Sequence, residues 1–367
     1  MRGVAFYISG HGFGHASRQV QIVNALGLRL PGVPILLRTA AAPWLLERTV
    51  APPVTLDAAP CDTGVVQIDG LRLDARATIE QARDFHRTLD ERASREAATL
   101  YDHDVALVLA DAPPLACAAA AVAGIPSVVV SNFTWDWIYQ GYREHLGLAP
   151  HLLPAIEAAY RHAEGAWRLP MHGGFATFSR DTITDVPFVA RHATHAREET
   201  RDCLRLPQQR RLALSSFGGF GVNDLDLSSL DCLHECDVVI TGREEGRTFG
   251  RGLHYVDEAD IYDRGLRYED LVHAVDVVVT KPGYGIISEC IANDTAIVYT
   301  SRGRFAEYDV LVREMPRYLR SAYLSQDQLL AGRWRAAIDT VLALPDPPEH
   351  PRTDGAHVIA EMIAGHV

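Results

Sequence analysis

The feature that most constrains this chain is a pair of glycine-punctuated turns, each set between a strand-length apolar run and a stretch of helical period. Residues 4–9 (Val-Ala-Phe-Tyr-Ile-Ser) run directly into Gly10-His11-Gly12-Phe13-Gly14-His15, and a helical pattern follows from Ala16 to about Leu30. Much later, the run 275–280 leads into Lys281-Pro282-Gly283-Tyr284-Gly285, which opens a helix carrying Ser288 and Glu289. Glycine lets backbone N–H groups approach a ligand closely, and a helix N-terminus presents unpaired donors with a partial positive charge. Each turn can therefore hold an anion, and two in one chain predict a cleft between two α/β domains. Phe217-Gly218-Gly219-Phe220-Gly221 forms a third such turn, directly after the run 211–216.

Strand-length runs alternate with helical stretches along the whole chain. In the first half the runs are 4–9, 34–39, 105–110 and 126–131; in the second they are 211–216, 237–241, 275–280 and 295–300. That order predicts βαβ units on parallel sheets. The charged stretch from about Ala75 to Tyr101 carries Ile79, Ala82, Phe85 and Leu89 at helical spacing and is expected to be one exposed helix. With 367 residues there is enough chain for two cores. The expected division is an N-terminal Rossmann-like domain over 1–186, a linker over 187–195, a C-terminal Rossmann-like domain over 196–345, and a closing loop and helix over 346–367. In an open α/β sheet ligands bind outside the carboxyl ends of the strands, where all three turns fall.

Composition excludes other classes. Asp and Glu number 47 against 35 Lys and Arg, a net charge of −12, which argues against a nucleic-acid partner because phosphate neutralisation needs clustered cations. The six cysteines are scattered, as free thiols in a reducing cytoplasm would be. Cys232-Leu-His-Glu-Cys236 has no second Cys/His pair at zinc spacing, so no metal is expected and those residues are expected on a helix. Met1-Arg2 passes straight into the first apolar run, unlike a secretory leader. Leu115 to Val130 is shorter than the ~20 residues of a spanning helix and is broken by Gly124 and Pro126, so no stable membrane insertion is expected.

The succession of Gly10–His15, Phe217–Gly221 and Gly283-Tyr284-Gly285-Ile286-Ile287-Ser288-Glu289 resembles the GT-B glycosyltransferases of the type that moves N-acetylglucosamine in peptidoglycan synthesis. More specifically, Gly10 to Arg18, Asp62-Thr-Gly64-Val-Val-Gln67 and Ser131-Asn132-Phe133-Thr134-Trp135-Asp136-Trp137-Ile138-Tyr139 look like the glycosyltransferase-like N-terminal region of plant L-arabinokinases. No kinase-type glycine loop or P-loop lysine accompanies them. Gly12-Phe13-Gly14-His15-Ala-Ser-Arg18 is also similar to a motif of GT-B nucleotide-sugar hydrolases, in which the histidine activates water. The implied fold is α/β of GT-B architecture, two Rossmann-like parallel-sheet domains facing a cleft. The implied ligands are a nucleoside-diphosphate sugar, UDP type, and a small-molecule or glycan acceptor, with no other cofactor.

On this reading the diphosphate lies against Gly218, Gly219, Gly283 and Gly285, helped by Lys281, Tyr284 and Ser288, with Gly12, Gly14 and His11 facing it. His15 would deprotonate the acceptor, assisted by Asp111 or Asp136. The resemblance makes Glu289 the acceptor of the ribose hydroxyls, sets the base against Gly265-Leu266, and gives the donor sugar to Glu307 and Arg304. Asp62, Gln67, Asn132 and Trp135 are expected on the acceptor side, an indole suiting the apolar face of a sugar. Each has a plainer role available: a dipole-stabilising carboxylate for Glu289, a turn or cap for Asp111, a core anchor for Trp135. Metal-independent, inverting transfer is expected, with hydrolysis of a nucleotide sugar, or binding without chemistry, as the alternatives.

Overall fold

Val4 to Ile8 are fully buried, and that is why they read as an unbroken apolar run: this strand is covered on both faces, as the central strand of a parallel sheet must be. A computed structural model describes residues 2–218, 222, 225, 227–241 and 251–367, so Gly219 lies outside the described residues. The first sheet contains β1 (Gly3–Ile8), β2 (Ile35–Thr39), β3 (Thr55–Ala58), β4 (Val105–Asp111), β5 (Ser127–Phe133), β6 (Gly165–Gly173) and β7 (Ile183–Asp185), in spatial order 3-2-1-4-5-6-7. The second contains β8 (Arg211–Ser216), β9 (Cys236–Thr241), β10 (Leu253–Val256), β11 (Val277–Thr280), β12 (Ala296–Tyr299) and β13 (Ser321–Tyr323), in order 10-9-8-11-12-13. The pairings are parallel in both.

Both sheets thus grow outward from their first strand, then reverse and continue from its other side. At each reversal, β1 beside β4 and β8 beside β11, the connections leave on opposite faces and a crevice opens at the strand ends. Gly10–His15 and Asp111 stand at the first crevice; Ser216–Gly218 and Lys281–Gly285 stand at the second.

Three local expectations change. The stretch 75–101 is two helices, Ala75–His86 and Leu89–Asp102. Phe85, Leu89 and Ala93, four residues apart, still share one apolar cluster with Leu115 and Ala159 across the break at Arg87 and Thr88. Cys232 lies in a turn, not a helix, and Cys236 begins β9; both are buried. Five strands go beyond those expected: β3, β7, β10 and β13 are short edge or near-edge strands, and β6 carries Pro170 where a strand is least expected.

Between β7 and the helix Arg197–Cys203 the chain crosses from one sheet to the other, bracketing residues 187–195. It crosses back near the end, where Phe188 N–H donates to the Arg352 carbonyl at 3.1 Å and Gly355 N–H to the Phe188 carbonyl at 2.9 Å. The last helix, Gly355–Ala364, packs Ile359, Ala360 and Ile363 into the cluster that holds Ile22, Val23 and Leu26 of the first helix, Phe13–Arg29. The closing segment therefore completes the first half of the molecule. Among the described residues no helix is long and apolar enough to cross a membrane.

Candidate functional site

The two original glycine turns meet. A Cβ built on Gly285 would lie 3.4 Å from Gly14 Cα, so the N-termini of helices Phe13–Arg29 and Tyr284–Ala292 converge on one space. Only glycine suits Gly12, at φ +77°, and with Gly14, Gly218 and Gly283 it has nothing within 4 Å of where a side chain would begin. These backbones face open space, a cleft of about 500 Å³ between the two sheets.

On the N-terminal wall, His15 and Arg18 are three residues apart and so share a helix face. His15 Nδ1 lies 2.8 Å from Asp111 Oδ2, and Arg18 pairs with the other oxygen, Oδ1. Asp111 is buried, which alone would raise its pKa, but Arg18 and His15 outweigh burial and hold it below the usual carboxylate range. An ionised carboxylate only accepts, so the proton it faces is on His15 Nδ1, the tautomer that in a neutral ring leaves the Nε2 lone pair toward the cleft. Arg18 also donates to Asn132 Oδ1 at 2.8 Å, and Asn132 Nδ2 donates to Glu307 Oε1 at 2.7 Å. A continuous polar chain thus runs from the histidine to the opposite domain.

A second chain crosses nearby. His11 Nε2 lies 3.0 Å from Gln67 Nε2, and Lys281 Nζ donates to Gln67 Oε1 at 3.2 Å. Burial, with His15, Arg302 and Lys281 nearby, pushes the His11 imidazole down to about 3, so it stays neutral. Burial and the Arg302 charge bring the Lys281 ammonium down to about 7.

Deeper in the second domain, Arg191 from the crossing segment reaches Glu289, with Nε to Oε1 at 2.7 Å, and Glu269, with Nη1 to Oε2 at 3.2 Å. Glu289 borders the cleft, and burial raises its pKa despite Arg191. Tyr268, whose hydroxyl lies 2.6 Å from Ser216 Oγ, and Tyr262, edge-on to Trp44 at 6.3 Å, wall the same end.

His15, Asp111, His11, Gln67, Asn132, Lys281, Glu289 and Glu307 are therefore brought together, with Gly12, Gly14, Gly218, Gly283, Tyr284 and Gly285 around them. Other expected residues stand elsewhere. Asp136 is buried in the first turn of the helix Trp135–Gln140 beside Thr134 and the Trp137 backbone, away from the cleft lining. Trp135 is fully buried, stacked on Tyr139 at 5.3 Å, and its Nε1 donates to Asp62 Oδ2 at 2.9 Å. Asp62 also accepts from Ser9 at 3.0 Å; burial pushes its carboxyl up to about 6. Asp62 and Trp135 buttress the wall from behind, and neither is open to an acceptor.

Ser288 is buried and donates to the Gly285 carbonyl at 2.9 Å, closing its own helical turn. Gly265 ends the helix Glu258–Asp263 in a left-handed turn and Leu266 is core, so the aromatic neighbours Tyr262 and Tyr268 meet the cleft in their place. Arg304 is exposed and paired with Glu144; Arg302, two residues earlier, lines the cleft. Arg18 stood in the quoted motifs without a role, and its pairing was detectable from its spacing to His15. Arg191 and Arg302 carry no local signal.

No family model matches the chain. It is 30% identical to L-arabinokinase of Arabidopsis thaliana over an alignment of 372 positions that covers 98% of this chain, and spans about a third (34%) of that protein. Solved structures with the same fold include the calicheamicin glycosyltransferase CalG4 (TM-score 0.65, 14% identity, covering 100% of this chain and 98% of that one). The glycosyltransferase SnogD from Streptomyces nogalater gives 0.55 at 18% identity, covering 99% of each. Arabidopsis thaliana UGT89C1, solved complexed with UDP, gives 0.59 at 14% identity, covering 99% of this chain and 94% of that one.

Proposed function

The chain has the GT-B fold and matches about a third of L-arabinokinase, and from that premise we propose that it is a glycosyltransferase that moves a sugar from a nucleoside-diphosphate sugar to an acceptor bound by the N-terminal wall. The observation that carries the reading is the His15–Asp111 pair at the meeting point of two open glycine turns.

The donor's diphosphate would lie at the N-terminus of helix Tyr284–Ala292, where the amides of Gly283 and Gly285 and the helix dipole offset the charge that grows as the diphosphate leaves. Glu289, fixed by Arg191 through one oxygen, would offer the other to the ribose, with the base toward Tyr262 and Tyr268. His15 Nε2 would take the acceptor hydroxyl's proton while Asp111 stabilises the imidazolium that forms. One displacement with one activated nucleophile inverts the anomeric carbon, and this arrangement asks for no metal.

UDP, GDP, ADP and dTDP and their hexose conjugates are the first probes. One nucleotide is expected to raise the melting temperature; at 100 times its Kd the gain is about 2.7 kcal/mol. Turnover of the matching sugar nucleotide should then require an acceptor and fall by on the order of 10²–10⁴ in His15→Ala, with nucleotide affinity kept. A panel without a single shift would sink the reading. Sugar release that no acceptor accelerates would assign the same pocket to hydrolysis.

A further inference from the structure

Among the described residues no carboxylate is bonded to Arg302, although Glu307 is near enough to act on its charge. Arg302 follows β12 in the second sheet, lines the cleft, and sits with its guanidinium carbon 3.9 Å from the centre of the Phe305 ring. Among the described residues it makes no hydrogen bond and no ion pair. Glu307, the nearest carboxylate to influence it, directs one oxygen to Asn132 instead. Burial lowers the Arg302 pKa accordingly. The Tyr142 hydroxyl, close enough to feel the same charge, is buried without a hydrogen-bond partner.

A half-buried guanidinium without a partner is costly unless a ligand supplies one. Stacking on Phe305 occupies the flat face of the group and leaves its edge, with the N–H donors in one plane, free for a two-pronged acceptor. The diphosphate already has its place one strand away, at Gly283–Gly285 after β11, and neighbouring strands stand ~4.8 Å apart. We propose that Arg302, with Lys281 beside it, holds a further negative group of the bound substrates: a carboxylate or phosphate carried by the transferred sugar or by the acceptor. This rests on the glycosyltransferase reading and narrows it to acidic substrates.

Equilibrium binding by calorimetry separates the two sources. In the donor arm, UDP, UDP-glucose and UDP-glucuronate are titrated into the wild-type protein, Arg302→Gln and Arg302→Lys. In the acceptor arm, glucose, glucuronate and glucose 6-phosphate are titrated with UDP saturating. The acidic compound should bind at least tenfold tighter than the neutral one in one arm. Arg302→Gln should abolish that preference while leaving UDP affinity within about twofold, and Arg302→Lys should keep part of it, which also controls for misfolding. Equal affinities for acidic and neutral compounds in both arms overturn the proposal while UDP binding preserves the underlying reading. A tenfold loss of UDP itself in Arg302→Gln overturns it too, by assigning Arg302 to the diphosphate. If another nucleotide of the panel binds in place of UDP, its conjugates replace the uridine compounds in both arms; absence of binding by every nucleotide removes both.

Discussion

Asp111 serves two partners, and its replacement separates them. In Asp111→Asn the amide no longer fixes the proton on His15 Nδ1, so turnover should fall by on the order of 10²-fold or more. Arg18, buried and deprived of its carboxylate, should also cost roughly 3–5 kcal/mol of stability, read as a lower melting temperature. His15→Ala, which leaves Arg18–Asp111 intact, should lose turnover with a much smaller change in melting temperature. Lys281 sets the pH response. Burial takes its pKa from 10.5 to about 7, so in the empty protein it is charged below that pH and neutral above it. A bound diphosphate favours the charged form, and binding above pH 7 must take up a proton. Affinity for UDP should therefore fall by up to tenfold per unit above about pH 7, and Lys281→Met should flatten that slope in a calorimetric pH series.

At the scale of elements, the loop 61–66 decides where His11 stands. Gly64 sits at φ +62°, and a Cβ there would fall 2.5 Å from His11 Nδ1. Gly64→Ala should cost about 1–2 kcal/mol in backbone strain and, by displacing His11 from Gln67, weaken nucleotide-sugar binding; a melt beside a titration tests both effects. The strands that build the crevices were legible because they are covered on both sides: β1, β4 and β11 read as near-continuous apolar runs, and β8 keeps the apolar core Leu212-Ala213-Leu214. The edge strand β3 is largely exposed and leaves no such run. The glycine turns, His15 and Asp111 could be placed from sequence for the same local reasons. Trp135 and Asp62 were misassigned because an indole N–H and a carboxylate that satisfy each other in the core look, in a string of letters, like a sugar site. Arg191 owes its position to Glu269 and Glu289, far along the chain, and Arg302 faces a cleft that both halves build, and no window along the chain contains that information.

At the scale of the whole molecule, the final helix belongs to the opening fold. Removing residues 355–367 would uncover the face of helix Phe13–Arg29 that carries Ile22 and Leu26 and would delete Ile359 and Ile363, each fully buried and each worth about 2–3 kcal/mol. The truncated chain should show faster amide exchange over 13–29 than over 211–216, and unchanged exchange over 13–29 would contradict the assignment.

The two passages between the sheets run side by side, Val189 bridging to Asp354 in antiparallel sense. Twin tethers pinned along one line leave a single inexpensive motion, a swing about that line, since sliding or twisting would tear one strap from the other. Admission of substrate and escape of product would then be strokes of one rotation, and a covalent link from one wall of the cleft to the other should slow both alike.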